Sequence, residues 1–183
     1  PTTAGQTYFL SMHILNPEIF YPEFYYLTSR QLSPEVLDRA WARVIDQTPM
    51  LRTVFVPTSD SPLLPYMQIE FEVVHIPVIW HSKFDRHLVS RIPKQEFGVV
   101  PVALHACQTN QGTALILQIH HALYDAVSLP HILNRLVTHC GQEDVVKPNP
   151  DLDLAQLVAF QYVHSPVDVR RQFWQKYLGQ IST

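Results

Sequence analysis

Residues 113–130 run Thr113-Ala114-Leu115-Ile116-Leu117-Gln118-Ile119-His120-His121-Ala122-Leu123-Tyr124-Asp125-Ala126-Val127-Ser128-Leu129-Pro130. The first seven are mostly apolar and β-prone, which predicts a strand. Beyond them Leu129, Ile132, Leu133, Leu136, Val137 and Cys140 recur on one stripe, which predicts an amphipathic helix over Leu129 to Cys140. Ser128 reads as its N-cap, and Pro130 sits in the tolerant first turn. Two histidines and an aspartate occupy the junction. Imidazole is the side chain best placed to move protons near neutral pH, so the junction is the candidate for chemistry.

Working outward, Val99 to Gln108 is a second strand-like run, joined to the first by the hairpin signal Asn110-Gln111-Gly112. Tyr66 to Ile76 and Leu51 to Val56 also read as strands, as does the aromatic Phe24 to Thr28. The clearest helix starts at Ser33 as N-cap and Pro34 as first helical residue. Val36, Leu37, Ala40, Trp41, Val44 and Ile45 form its apolar face, and Thr48-Pro49 ends it. Gln6 to Leu15 fits a helix or a strand. Ser82 to Gln95 gives weak helix signals, limited by Pro93. Gly141 to Pro150 reads as a linker. Helical segments follow at Leu152 to Val163 and Val167 to Leu178, the second with Ser165-Pro166 as cap and first residue. Strands outnumber crossover helices, so an α/β (α+β) architecture with a mixed or largely antiparallel sheet and helices packed on it is expected.

The 183 residues suffice for one domain or one lobe of a larger one, and 46% hydrophobic against 16% charged residues is the composition of a folded chain. A net charge of −3 without a basic cluster argues against nucleic-acid binding. No apolar run reaches membrane-spanning length, and the N-terminus carries no basic-then-apolar signal. Cys107 and Cys140 lack CxxC spacing and read as reduced, buried small hydrophobes in an intracellular, cytoplasmic protein. Fifteen prolines against five glycines imply stiff connections.

Of the ten histidines, His13, His75, His81, His87, His105, His131, His139 and His164 show no ligand spacing and read as surface or satisfied core residues, so no metal is expected. Strand alternation sends His120 and His121 to opposite faces, so the two are not equivalent bases. Asp125 has three readings: a turn aspartate accepting backbone N–H groups, an acid orienting a histidine, or a partner for Arg52. Arg52 shares a strand face with Val54 and Val56. It either packs its stem and sends its head to solvent, or pairs with a buried acid. No GxSxG elbow and no phosphate-cradling glycine loop is present.

His120-His121-Ala122-Leu123-Tyr124-Asp125-Ala126 resembles the HHxxxDG signature of condensation domains of nonribosomal peptide synthetases, which are chloramphenicol acetyltransferase-like acyltransferases. Met50-Leu51-Arg52-Thr53-Val54-Phe55 is similar to that family's LRTxF strand. Leu154 to Leu178, ending Phe173-Trp174-Gln175-Lys176-Tyr177-Leu178, resembles the segment that closes its first lobe. The resemblance implies the N-terminal lobe of a two-lobed domain, with residues 151–183 as the closing helical segment, and hence a truncated piece that is inactive alone. It implies His121 as the catalytic residue facing a tunnel, His120 and Ser128 as supporting residues, and Asp125 as the structural partner of Arg52. The reaction implied is amide formation between a carrier-bound thioester donor and an amine, with a product-cyclising terminal variant. No cofactor is bound directly; the phosphopantetheine arms of peptidyl carrier proteins bring the substrates, and the second lobe and neighbouring synthetase domains are the other partners, with no membrane. Two alternatives remain: a non-catalytic docking or scaffolding domain, and a stand-alone coenzyme A-dependent acyltransferase. The wording of the motif is similar to fungal synthetases of ferrichrome-type siderophores. Ala126 stands where the signature has glycine, which would matter if a positive φ were required there.

Overall fold

A computed structural model describes residues 1–17, 19–58, 65–83, 98–141, 158–160, 163–164 and 166–179. They fall into two units, Pro1–Val145 and Val146–Thr183.

The first unit opens with helix α1 (Ala4–Leu15), which settles the segment that sequence left open. Thr3 caps it reciprocally. Gln6 N–H donates to Thr3 Oγ1 at 3.2 Å and Thr3 N–H to Gln6 Oε1 at 2.8 Å. Strand β1 (Glu23–Thr28) and helix α2 (Pro34–Asp46) follow, the latter capped by Ser33 with Pro34 at its start as the sequence required. Then come β2 (Thr53–Pro57), β3 (Tyr66–Glu70), β4 (Ile79–His81), β5 (Val102–Thr109), β6 (Gly112–Ile119) and helix α3 (Ser128–Gly141).

Strands β1, β6, β5 and β4 form one sheet in that order. The first two pairings are antiparallel and β4–β5 is parallel, so the sheet is mixed. β2 and β3 form a separate antiparallel pair. The sheet buries Phe24, Trp80, Leu104, Ala106, Leu115, Leu117 and Ile119 on one face. Helices α2 and α3 pack there through Leu37, Trp41, Val44, Ile132 and Leu136. Val137, placed on the apolar stripe of α3 by its spacing, is instead 72% exposed. Gly112 closes the β5–β6 hairpin at φ 137°. A Cβ there would lie 1.8 Å from Thr28 O, so only glycine fits the turn against β1.

The opposite face carries a polar chain across all four strands. His81 Nε2–H donates to His105 Nδ1 (2.9 Å), His105 Nε2–H to Gln118 Oε1 (3.3 Å), and Gln118 Nε2–H to Glu23 Oε1 (3.2 Å). Burial lowers the His105 pKa and outweighs the opposing Gln118 contact; the His81 charge lowers it further and the Glu23 charge raises it. Burial of these groups is tolerated because each finds a partner.

Two expectations need correction here. Leu51 and Arg52 belong to a 3-10 turn, Pro49–Arg52, rather than to the strand, so strand alternation never applied to Arg52. The strand expected over Tyr66 to Ile76 ends at Glu70, and β4 was not anticipated. Both cysteines carry free thiols, as expected, with Cys107 buried and Cys140 only half-buried. The expected helix over Ser82 to Gln95 and the linker after Gly141 lie almost wholly outside the described residues, as does most of Leu152 to Val163.

In the second unit, helix α4 (Val167–Leu178) begins without a side-chain cap. An Asp168–Arg171 ion pair at 3.1 Å steadies its first turn, and Phe173, Trp174 and Tyr177 form a ring cluster along it. No described helix is long and apolar enough to cross a membrane.

Candidate active site

β6 ends at Ile119, and the chain then turns through a 3-10 turn, His121–Leu123. His120 caps that turn. Its Nδ1 accepts Ala122 N–H at 3.1 Å, so the ring carries its single proton on Nε2. The side chain is fully buried, and Nε2 has no partner among the described residues. The rings of His13 and Tyr21 meet it edge-on at 4.9 and 5.8 Å. Burial first, then the nearby His13 and His121, pushes its pKa down to about 3. His120 is therefore a neutral cap, not a proton carrier.

His121 is half-buried and differently bonded. Its Nδ1 lies 3.2 Å from Tyr124 O. A carbonyl oxygen only accepts, so Nδ1 must bear the proton and the Nε2 lone pair is left for chemistry. The imidazole lies between two rings: Phe9 at 4.2 Å and 15°, Tyr124 at 4.6 Å and 12°. Its backbone N–H donates to Phe20 O at 2.8 Å. Phe20 has φ 62°, the one non-glycine residue in the left-handed region among the described residues. That conformation is an outlier for a bulky side chain, and it turns the Phe20 carbonyl onto the histidine loop.

Helix α1 supplies three of these contacts from one face. Gln6 Nε2 donates to Ala122 O (3.2 Å), Phe9 stacks on His121, and His13 abuts His120 while its Nδ1–H donates to Ile19 O (3.0 Å). Positions 6, 9 and 13 are the helical spacing that brings side chains together. None of the three was singled out for the site by the sequence. An amphipathic reading of Gln6 to Leu15 would have aligned them, but not shown what they face.

Asp125 caps α3. Its Oδ1 accepts Val127 N–H (3.0 Å), Ser128 N–H (2.7 Å) and Ser128 Oγ–H (2.8 Å), while its carbonyl accepts Leu129 N–H (3.1 Å). In return Asp125 N–H donates to Ser128 Oγ at 2.8 Å. This is a reciprocal box with Asp125 as N-cap and Ser128 three residues on, which reverses the assignment of Ser128 as the cap. The two Ser128 bonds come first among the causes that lower the Asp125 carboxyl below the usual range.

Arg52 does not pair with Asp125. Its Nη1 donates to Phe71 O (2.6 Å) and Glu72 O (3.1 Å), and Nη2 lies 3.1 Å from Glu70 Oε1. Thr53 stands opposite Glu70 in the β2–β3 ladder, so the preceding arginine reaches the end of β3 directly and both its terminal nitrogens are engaged there, while the buried Nε has no partner among the described residues. Ala126 is exposed and does not lie in the left-handed region, so the missing glycine costs no backbone strain. Among the described residues no group of three or more metal-ligating side chains occurs.

The family profile described as Condensation domain matches residues 1–182. The nonribosomal peptide synthetase sidC of Arthroderma benhamiae is 36% identical over 186 residues, covering 98% of this chain and 4% of that protein. A hydroxamate-type ferrichrome siderophore peptide synthetase of Schizosaccharomyces pombe is 29% identical over 191 residues, covering 97% of this chain and 4% of that protein. Among solved structures, the starter condensation domain of rhizomide synthetase superposes with TM-score 0.72 at 19% identity, over 100% of this chain and 48% of that one. The epimerization domain from the third module of tyrocidine synthetase B gives 0.76 at 15%, over 100% and 44%. At those identities the two structures speak for the fold, a chloramphenicol acetyltransferase-like lobe. The chain thus spans a few per cent of these curated relatives and under half of these solved domains.

Proposed function

We propose, since this chain belongs to the condensation-domain family, that it supplies the histidine-bearing lobe for acyl transfer in nonribosomal peptide synthesis. An amine attacks the carbonyl carbon of a carrier-bound thioester. The C–N bond forms, the C–S bond breaks, and the thiol leaves with a proton. A thioester is already activated, so positioning and one proton-handling group suffice. His121 is that group. The observation that carries the reading is its bond to Tyr124 O, which leaves Nε2 unprotonated and able to take the proton of the attacking amine. His120 and the Asp125–Ser128 cap build the two turns on either side of it.

Peptidyl carrier proteins would deliver both substrates on phosphopantetheine arms. A product-releasing cyclisation would use the same proton step. The chain alone would not turn over, because the rest of a condensation domain would form the other wall around His121. The non-catalytic alternative rested on Ala126, and the backbone at that residue gives it no support. The deciding experiment is amide formation by the full-length synthetase with His121→Ala. Loss of product with carrier binding intact supports the assignment, and unchanged product overturns it.

A further inference from the structure

Three arginines come together at the far end of α3. Arg30 follows β1, while Arg39 and Arg43 lie one turn apart on α2. With His139, Cys140 and Gly141 they line a concavity of about 450 Å³. None of the three forms an ion pair among the described residues. His139 is already used, its Nε2–H donating to Gln47 Oε1 at 3.0 Å. Unpaired cations gathered round one opening favour an anion there.

A second concavity of about 240 Å³ adjoins it and is almost wholly apolar. Tyr26 and Leu27 of β1, Leu115 and Leu117 of β6, and Leu133 and Val137 of α3 form its walls. Arg30, Leu32 and Cys140 line both spaces. The Arg30 guanidinium lies against Gly141, where Nη1 would stand 3.5 Å from an added Cβ, and burial raises the neighbouring Cys140 thiol while Arg30 opposes it. β1 is the edge strand here, and Tyr26, Leu27 and Val137 stay exposed at the groove. At about 30 Å³ for a water-sized group, the apolar space holds roughly eight methylene-sized groups.

We propose that these adjoining spaces form one binding site for an aliphatic carboxylate of about eight to ten carbons, its head among Arg30, Arg39 and Arg43 and its chain in the groove between β1 and α3. Charge selects the head, since a neutral or cationic head would leave the arginines unanswered. The near absence of polar lining selects a plain chain over a peptide, whose amides would lose their hydrogen bonds on entry. The site is separate from His121. Ser128, at the histidine end of α3, and Cys140, at the arginine end, lie about 18 Å apart at ~1.5 Å per residue.

The test is titration of the 183-residue chain with decanoate, decan-1-ol and inorganic phosphate, followed by calorimetry. Decanoate should saturate one site. The variant Arg39→Gln/Arg43→Gln, at one exposed and one half-buried position, should weaken decanoate about tenfold and leave decanol unchanged. Val137→Trp, at a solvent-facing position, should weaken both by filling the groove. Three results overturn the proposal: decanol binding as tightly as decanoate, phosphate binding as tightly as decanoate, or decanoate binding that neither variant changes. Circular dichroism of each variant separates these from unfolding. No reading depends on acyl transfer, so the outcome stands apart from the role given to His121.

Discussion

The imidazole of His121 donates from Nδ1 to the carbonyl oxygen of Tyr124, and the Tyr124 ring then lies flat against that same imidazole. One residue thus fixes the tautomer and one face of the ring; Phe9 of α1 covers the other face. Phe9→Ala should therefore lower kcat of the intact synthetase by about tenfold or more, by freeing the ring to leave its productive plane. Phe9→Tyr should restore most of it. Steady-state kinetics of both variants check this, and equal activity of Phe9→Ala and wild type would remove the clamp from the mechanism.

Acid should destabilise the lobe through His120. The folded state holds its pKa at about 3, against ~6.5 in an unfolded chain. Between those values the unfolded chain binds the proton and the folded one does not. Stability is thus complete above about pH 6.5 and falls as pH drops toward 3, by up to ~1.4 kcal/mol per unit from this group. The lowered pKa values of His105 and His139, caused first by burial, act in the same direction. Urea midpoints at pH 7.5, 6 and 5 measure the slope. In His120→Asn, which can still accept from Ala122 N–H, the slope should shrink visibly.

Asp125→Ala should cost ~1 kcal/mol of stability by uncapping α3, with Asp125→Asn costing less. A double-mutant cycle of Arg52→Met with Asp125→Asn should be additive within ~0.5 kcal/mol, because each residue keeps its own partners. A larger coupling in urea denaturation would restore the direct pair that the family signature suggests.

Ala126→Gly should not rescue anything. The backbone there is not left-handed, and glycine near a helix start adds unfolded-state freedom. A loss of a few tenths of a kcal/mol with unchanged amide formation is expected. A gain in rate would show that the extra methyl obstructs substrate.

What the sequence made legible was whatever local pattern governs. α2 could be read from Ser33, Pro34 and its apolar stripe, and the β5–β6 hairpin from Asn110-Gln111-Gly112. The strand alternation invoked to separate His120 from His121 does not reach them, because β6 ends at Ile119; their difference comes from the 3-10 turn that His120 caps. Long-range contacts were not legible. Nothing in the spacing of Phe9, His13 and Phe20 says that they enclose residues 120 and 121, because that depends on α1 packing against a turn a hundred residues away. Arg52 misled for a related reason. The strand it was assigned to begins one residue later, and a nearby acid with two carbonyls took both its terminal nitrogens.

The polar chain from His81 through His105 and Gln118 to Glu23 has a consequence for assembly of the sheet. Strand side chains alternate, so sliding β5 against β6 by one residue would turn leucines toward the imidazoles and leave buried amide and ring nitrogens unanswered, at ~1–3 kcal/mol each. A two-residue slip keeps the faces but separates His105 from Gln118. Only one alignment closes all three bonds. The row therefore works as a key cut across four strands, fixing the register of the sheet whose strand β6 runs into the His121 turn.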